Sequence, residues 1–109
     1  MISKRFDIML VDFPFSNLKK IKKRPALVIN SLEGNNSILC QITTKKRNIK
    51  KYEVFLPKDS CKGHILFDSF IYVDMVFTLH KSLIYRKIGE IINQKTKDAV
   101  NQKIRLVLQ

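Results

Sequence analysis

Short runs of β-favouring residues bounded by proline limit this chain to a fold built mostly from strands. Residues 6–13 form one apolar run, which stops at Pro14, and residues 24–30 form a second, which is entered through Pro25. Proline has no N–H to donate to a central ladder of hydrogen bonds, so it occurs where a strand starts or stops. The two runs therefore predict two short strands joined by a lysine-rich connection.

The segment 37–43 alternates between two sets of side chains, as a strand does. Ile38, Cys40 and Ile42 point one way, while Leu39, Gln41 and Thr43 point the other. Residues 52–56 alternate as well, and a longer β-rich stretch runs from 63 to 79 with a break near 67–69. The pattern places Gln41 and Thr43 on the same face of a sheet.

Past Gly89 the spacing of apolar residues changes to that of a helix. Asn93 is a suitable N-cap. The residues that recur at helical spacing are Ala99, Val100, Ile104, Val107 and Leu108. Five or six short strands and one helix in 109 residues predict a single domain, residues 1–109, of the mainly β (α+β) class. A small, partly closed barrel or strongly curved sheet is expected, because closure removes exposed strand edges.

Positive charge is concentrated in one part of the sequence. The chain has 21 Lys and Arg against nine Asp and Glu, a formal charge of +12, and ten of the bases lie between residues 19 and 51 with only one acid. They form two clusters that a hairpin-like arrangement of strands would bring together. Such a surface attracts polyanions and supplies most of the non-specific free energy of binding a phosphate backbone. The alternative is a solvated lysine-rich surface.

Several classes of protein are excluded by what the sequence lacks. No apolar run approaches the roughly 20 residues that cross a bilayer, so we expect neither a signal peptide nor a membrane span, and a cytoplasmic protein. Cys40 and Cys61 have no metal-ligand spacing, and we expect both to be reduced thiols. His64 and His80 lack a Cys or carboxylate at ligand spacing and are interpreted as structural. No metal or other cofactor is expected.

Three segments remain that could carry chemistry: VDFPFSN at 11–17, KKRPALVI at 22–29 and QITTKKR at 41–47. Taken in order, they resemble the MazF/PemK toxin family, also called the Kid family. The likeness continues through Asp68-Ser69, Thr78-Leu79 and Lys87-Ile88-Gly89, and so covers nearly the whole chain. Each piece alone is weak, but several ordered pieces at suitable separations are hard to match by chance.

The resemblance implies both a fold and an activity. Members are small dimeric barrels of the Src-homology-three type with a C-terminal helix. They act as the toxin half of bacterial type II toxin–antitoxin pairs and cleave single-stranded RNA, including mRNA, without a metal. The implied partners are RNA, a second copy of the chain and an acidic antitoxin, with DNA bound only through the antitoxin. By this likeness Arg24 matches the catalytic arginine and Thr43 the catalytic hydroxyl.

The chemistry of these two residues suits that reaction. A guanidinium pairs two phosphate oxygens and stays charged, so Arg24 is expected to stabilise charge rather than to move a proton. Thr43 can donate to the same phosphate. The alternatives are a surface salt bridge or basic rim for Arg24 and an ordinary strand residue for Thr43, with Thr44 a rival for the hydroxyl role.

Further candidates for RNA contact come from the same three segments, from the connection between the first two of them and from the downstream strand. They are Phe15, Asn17, Lys19, Lys20, Lys22, Lys23, Gln41, Thr44, Lys45, Lys46 and Asp74. One of the aromatic residues Phe13 and Phe15 could stack on a base, whereas at least one is expected in the core. The lysines of the first connection either clamp RNA or are flexible. Asp74 either accepts a hydrogen bond from RNA or pairs with an Arg or Lys.

Three residues depart from the family's pattern. Phe6 replaces a glycine, and Tyr72 and Phe77 replace arginines. The loss of two arginines favours an alternative function, a non-catalytic or attenuated nucleic-acid-binding barrel that acts with its antitoxin in DNA-bound autoregulation. A third possibility is a translation-related barrel that uses the basic face only for docking.

Overall fold

The computed structural model describes residues 3–13 and 23–108, and seven antiparallel strands in it form one sheet. The strands are β1 (Asp7–Asp12), β2 (Lys23–Ser31), β3 (Asn36–Thr43), β4 (Glu53–Leu56), β5 (Cys61–Gly63), β6 (Ser69–His80) and β7 (Ile84–Ile91). Short 3-10 turns span Lys50–Tyr52, Lys58–Ser60 and Lys81–Leu83, and the helix α1 spans Gln94–Leu108. The strand order is β4-β6-β3-β2-β1-β7-β5.

The sheet is strongly curved but not closed. β4 and β5 form its two edges, while the molecule measures 32 × 31 × 29 Å, far from the thin slab that a flat sheet would give. Register shifts interrupt the pairing of β1 with β7, of β2 with β3 and of β3 with β6. Such bulges bend a strand and increase its twist. The predicted mainly β fold with a C-terminal helix is confirmed.

Helix α1 covers one face of the sheet. Asn93 caps it, because its Oδ1 accepts a hydrogen bond of 3.0 Å from the Thr96 N–H, as predicted. Val100 and Ile104 are buried against the sheet, and Val107 packs beside them. Leu108 is 64% exposed, so the apolar face of the helix ends at Val107 rather than at the predicted last residue. The described helix is not long and apolar enough to cross a membrane.

Two apolar clusters lie on opposite sides of the central strands. The helix-side cluster includes Ile8, Leu27, Cys40, Ile42, Val54, Leu56, Ile71, Val73, Val100 and Ile104. The far-side cluster consists of Met9, Val11, Phe13, Ala26, Val28, Leu39, Phe77 and Leu79, with Ile84 against it. The predicted alternation of the third strand is confirmed, since Cys40 and Ile42 belong to the first cluster and Leu39 belongs to the second.

Strand β7 is the longest element that sequence analysis missed. The predicted stretch 63–79 is also partly wrong, because β5 ends at Gly63 and residues 64–68 form no strand. In β7, Ile84, Ile88 and Ile91 do not alternate regularly with polar residues. The register against β1 shifts twice, between Ile8 and Met9 and between Leu10 and Val11. Each shift breaks the two-residue period that identifies a strand, which is why the pattern was hidden.

A pair of glycines holds the edge strand β5 close to β7. Gly63 lies opposite Gly89 and has a φ of +105°, which favours glycine. A Cβ on Gly63 would lie 2.6 Å from the carbonyl oxygen of Ile88, and one on Gly89 would lie 2.6 Å from that of Lys62. Both contacts are with backbone, so neither position accepts a side chain without moving a strand.

Candidate functional site

Arg24 lies near the start of β2, opposite Val11 of β1. Its side chain is on the same face as the far-side cluster, with the guanidinium carbon 5.8 Å from the centroid of the Phe13 ring. In the part of the chain that the structure describes, its Nε is buried and has no hydrogen-bond partner, which is also true of the Nε of Arg47. A buried donor without an acceptor is uncommon, because it loses its hydrogen bonds to water without replacement.

The strand register places Thr43 on the same face as Arg24. The pairing of β2 with β3 ends at Ala26 and Gln41, and the same register continued by two residues would set Arg24 opposite Thr43. Directly opposite residues have Cβ atoms roughly 5 Å apart and point to the same side. Thr43 Oγ1 accepts a hydrogen bond of 3.2 Å from the Lys45 N–H, which leaves its own hydrogen available to donate. Arg24, Gln41 and Thr43 therefore share one end of one face.

Thr44 faces the other way. Together with Pro25, Ile42 and Leu56, it lines an apolar cavity of about 300 Å³ on the helix side of the sheet. Consecutive strand residues point to opposite faces, so only one of the two threonines can share a face with Arg24. The geometry favours Thr43 over Thr44 for the hydroxyl role.

Asp74 is bound by Arg47. Arg47 Nη1 donates to Asp74 Oδ2 at 3.0 Å, Nη2 donates to Oδ1, and the guanidinium carbon lies 4.0 Å from the centroid of the Tyr72 ring. Asp74 lies in a bulge of β6, because Cys40 pairs with Val76 and Gln41 pairs with Tyr72. Of the two interpretations given to Asp74, the structure shows the pairing with an arginine.

Tyr72 adds a second contact to this group. Its hydroxyl donates to the carbonyl oxygen of Lys45. Burial raises the pKa of Tyr72, the nearby Arg47 charge lowers it, and Glu53 and Asp74 raise it further. The net direction is upward, so the hydroxyl keeps its hydrogen and remains a donor at neutral pH.

Sequence analysis missed the role of Arg47. The backbone N–H of Arg47 donates to Glu53 Oε2 at 2.9 Å, so this residue contacts two carboxylates that are six and 27 positions away. Its only signal in the sequence was its place in the second basic cluster. Glu53, which an alternating pattern would place outward, is instead 7% exposed.

The predicted basic contacts are distributed unevenly. Lys45 and Lys46 are exposed just beyond Thr43, and Lys23 is exposed with its Nζ 4.2 Å from the Tyr85 ring centroid. Predicted contacts that lie outside the described residues are Phe15, Asn17, Lys19, Lys20 and Lys22. Exposed Lys45 and Lys46 therefore follow Thr43 in the chain, whereas Lys23, next to Arg24 in β2, projects from the opposite face.

The far-side aromatics pack beneath this site. Phe13 is 5% exposed, and its ring meets that of Phe77 edge to face at 5.6 Å between centroids. Phe13 is thus the core member of the Phe13 and Phe15 pair. Phe77, which replaces an arginine of the family's pattern, belongs to the same apolar cluster.

The cysteines and histidines take no visible part in the site. Both thiols are free, and burial raises the pKa of Cys40 strongly and that of Cys61 to about 11. His80 Nδ1 accepts from the Ser82 N–H at 3.1 Å and caps a 3-10 turn, while His64 is exposed beside the apolar cavity. Among residues 3–13 and 23–108, no three His, Cys, Asp or Glu side chains come together as a metal site would require.

Comparison with known proteins identifies the family. The family of PemK-like, MazF-like toxins of type II toxin–antitoxin systems matches residues 4–108. The chain therefore belongs to that family, as its three motifs predicted. No curated protein sequence matches the chain.

Solved structures share the fold at low sequence identity. MazF from Deinococcus radiodurans is 18% identical, with a TM-score of 0.76 over 99% of this chain and 97% of that one. An endoribonuclease from a Mycobacterial species, solved in complex with its cognate antitoxin, is 16% identical, with a TM-score of 0.75 over 98% and 95%. The Mycobacterium tuberculosis toxin MazF-mt6 is 19% identical, with a TM-score of 0.73 over 93% and 94%.

Proposed function

We propose that this chain is an endoribonuclease toxin that cleaves single-stranded RNA without a metal ion. The observation that carries the proposal is the half-buried side chain of Arg24 at the end of the face it shares with Thr43. The terminal nitrogens of a guanidinium can pair with two phosphate oxygens. Exposed Lys45 and Lys46 beside it supply attraction for the rest of the backbone.

The proposed reaction is an intramolecular transfer at phosphorus. The 2′-hydroxyl oxygen of one nucleotide bonds to the adjacent phosphorus and loses its proton, while the bond to the 5′-oxygen breaks and that oxygen gains a proton. Products are a 2′,3′-cyclic phosphate and a 5′-hydroxyl. Arg24 stabilises the charge that develops on the two non-bridging oxygens, and Thr43 donates a hydrogen bond to one of them. A guanidinium keeps its proton at neutral pH, so Arg24 is not assigned proton transfer.

The proposal includes the partners of the family. Family membership supports a cytoplasmic homodimer that is held inactive by an acidic antitoxin and contacts DNA only through it. The formal charge of +12 favours a carboxylate-rich, initially disordered peptide on the same surface as RNA. Antitoxin and RNA should then compete, and simultaneous binding without mutual weakening would contradict a shared surface.

The test is cleavage of a long single-stranded RNA in a large excess of chelator. We expect wild-type protein to cut it and to leave cyclic phosphate and 5′-hydroxyl ends, which end-group analysis identifies. Arg24→Ala, purified in the same way, is the control for a contaminating nuclease. Strict dependence on added magnesium would contradict the mechanism, and tight RNA binding without cleavage would favour the binding-only alternative.

A further inference from the structure

The connection between β3 and β4 is fixed to the sheet by one arginine. Residues 44–49 form no helix or strand, yet they carry the exposed Lys45 and Lys46 next to Thr43. From the middle of this segment, Arg47 reaches the bulge of β6, where its two terminal nitrogens bind the two oxygens of Asp74. A two-pronged pair of this kind fixes orientation as well as distance.

Three further contacts hold the same segment. The Tyr72 ring lies under the Arg47 guanidinium, and its hydroxyl binds the carbonyl oxygen of Lys45. The Arg47 N–H binds the buried Glu53 carboxylate at 2.9 Å. The segment is thus held through its backbone at Lys45 and Arg47 and through the Arg47 side chain. A loop fixed only at its two ends would lack these contacts.

Helix α1 supports this arrangement from behind. Lys103 Nζ donates to the carbonyl oxygens of Lys50 and Glu53, each at 2.6 Å. These two carbonyls bracket the 3-10 turn that leads into β4. The segment 44–49 is therefore anchored to the sheet through Arg47, and the helix holds the turn that follows it.

Arg47 is poorly placed to bind RNA itself. Its side chain is 21% exposed, both terminal nitrogens are bound to Asp74, and one face of the guanidinium is covered by Tyr72. The charge of Asp74 also offsets its own. Lys45 and Lys46, by contrast, are exposed and extend from the segment that Arg47 holds.

From this geometry we propose that Arg47 is a positioning residue for RNA cleavage, acting with Asp74 and Tyr72 to hold residues 44–49 beside Thr43. The proposal rests on the ribonuclease function proposed above. Ordering a residue costs backbone conformational entropy, so a segment that is fixed before RNA arrives does not add that cost to the activation free energy of cleavage. Displacing it by even an ångström is expected to slow the chemical step.

The experiment compares Arg47→Lys, Asp74→Asn, the double variant and Tyr72→Phe with wild type. Single-turnover cleavage at saturating and limiting RNA separates the chemical step from binding. We expect Arg47→Lys and Asp74→Asn each to lower the single-turnover rate at saturating RNA on the order of tenfold to a hundredfold. The double variant should be no slower than the worse single one, because both remove the same contact. Tyr72→Phe, which loses one hydrogen bond, should have the smallest effect.

Hydrogen exchange of the amides in 44–49 tests the same idea without RNA. Faster exchange at these positions in Arg47→Lys and Asp74→Asn, with the melting temperature and the exchange of α1 little changed, is expected. The matched control is Arg105→Ala, an exposed arginine on α1, which should alter neither exchange nor the saturated rate. Unchanged exchange at 44–49 would overturn the proposal even if activity fell.

Other results would also overturn it. A fifth variant, Arg47→Ala, tests for direct RNA contact. If it weakened binding with a shallower salt dependence while Asp74→Asn kept full activity, Arg47 would be a phosphate contact. If the variants had a lower melting temperature but an unchanged cleavage rate at saturating RNA, Arg47, Asp74 and Tyr72 would serve stability and not cleavage. If the wild-type protein had no ribonuclease activity, the proposed function and the catalytic part of this proposal would both be wrong. The hydrogen-exchange rates would still show whether Arg47 holds the segment 44–49.

Discussion

The two faces of the central strands differ in how far their apolar character extends. On the helix side, buried apolar side chains continue from Ile8 and Leu27 to Ile42 near the end of β3. On β2 and β3 of the far side they stop earlier, at Ala26 and Leu39, whereas on β1 they continue through Val11 and Phe13. Beyond that point the far side carries Arg24, Gln41, Thr43 and Tyr72. On β2 and β3, polar side chains therefore begin where the far-side cluster ends.

This difference follows from the single helix among residues 3–13 and 23–108. Helix α1 can cover only one face, so that face is apolar along its length. The other face is apolar where Phe13 and Phe77 belong to a cluster of their own. The end of this face beyond that cluster carries charge, and its residues project from strands, which hold side chains more firmly than loops do. We expect both faces to contribute alike to stability, and only the far side to contribute to RNA cleavage.

The largest effect is expected from emptying either apolar cluster. Leu27 and Leu39 are both completely buried, on neighbouring strands, but belong to the helix-side and far-side clusters respectively. Leu27→Ala and Leu39→Ala should each lower the free energy of unfolding by about 3–4 kcal/mol, since each leaves a cavity. Urea denaturation followed by circular dichroism measures both.

The pair of leucines serves as its own control, because the substitution and the exposure are the same. A loss below about 1 kcal/mol for Leu39→Ala alone would mean that the far-side cluster is not a second core.

The second prediction concerns the polar end of the far side. Arg24→Lys and Thr43→Ala should each slow RNA cleavage by about a hundredfold, or about 3 kcal/mol, without unfolding the protein. Lysine keeps the charge but loses the two-pronged geometry, so Arg24→Lys should be nearly as slow as Arg24→Ala. Single-turnover cleavage and circular dichroism measure the two effects separately.

If Arg24 acted only as one positive charge in a basic patch, the result would differ. Near wild-type cleavage by Arg24→Lys would reduce Arg24 to one cation among many and favour the binding-only function. Thr44→Ala is the neighbour control: Thr44 faces the apolar cavity, so its loss should slow cleavage much less than that of Thr43.

How much of this could be predicted depended on whether a pattern was local. The first strands, their faces and the Asn93 cap follow from residues a few positions apart. The pairing of Arg47 with Asp74 does not, because it joins positions 27 apart and requires the β6 bulge opposite Cys40 and Gln41. Bulges likewise concealed β7, whose register against β1 shifts twice. A single sequence carries no marker for where such shifts occur.

The third prediction concerns Phe6, which departs from the family's glycine. Its φ of 74° lies in the left-handed region, which costs a side-chain-bearing residue roughly 1–2 kcal/mol. The ring offsets that cost by packing against the helix-side cluster, with the charges of Arg5 and Lys97 each 5.4 Å from its centroid. Phe6→Ala should therefore destabilise by about 2 kcal/mol, because it loses the ring and keeps the strained backbone.

Phe6→Gly separates the packing of the ring from the strain of the left-handed backbone. It also loses the ring but relieves the backbone, so we expect a loss of only about 1 kcal/mol, and thermal denaturation of both variants provides the comparison. Equal losses would show that the left-handed backbone carries no strain here. RNA cleavage by both folded variants should match wild type, since Phe6 packs on the helix side.

The smallest effect is expected from Lys46→Ala. Lys46 is exposed in the segment beside Thr43, so its long side chain can neutralise an RNA phosphate, although Arg47 fixes only the backbone that carries it. Removing it should weaken RNA binding only a few-fold near physiological salt, and the slope of log affinity against log salt should become shallower by about 0.7, the value for one contact on a single strand. The saturated cleavage rate should stay near that of wild type. Binding titrations at several salt concentrations measure the slope, with the helix variant Arg105→Ala controlling for the loss of one charge elsewhere. A loss in the saturated rate as large as that of Arg24→Ala would place Lys46 in the chemistry and remove the distinction between positioned and merely attractive cations.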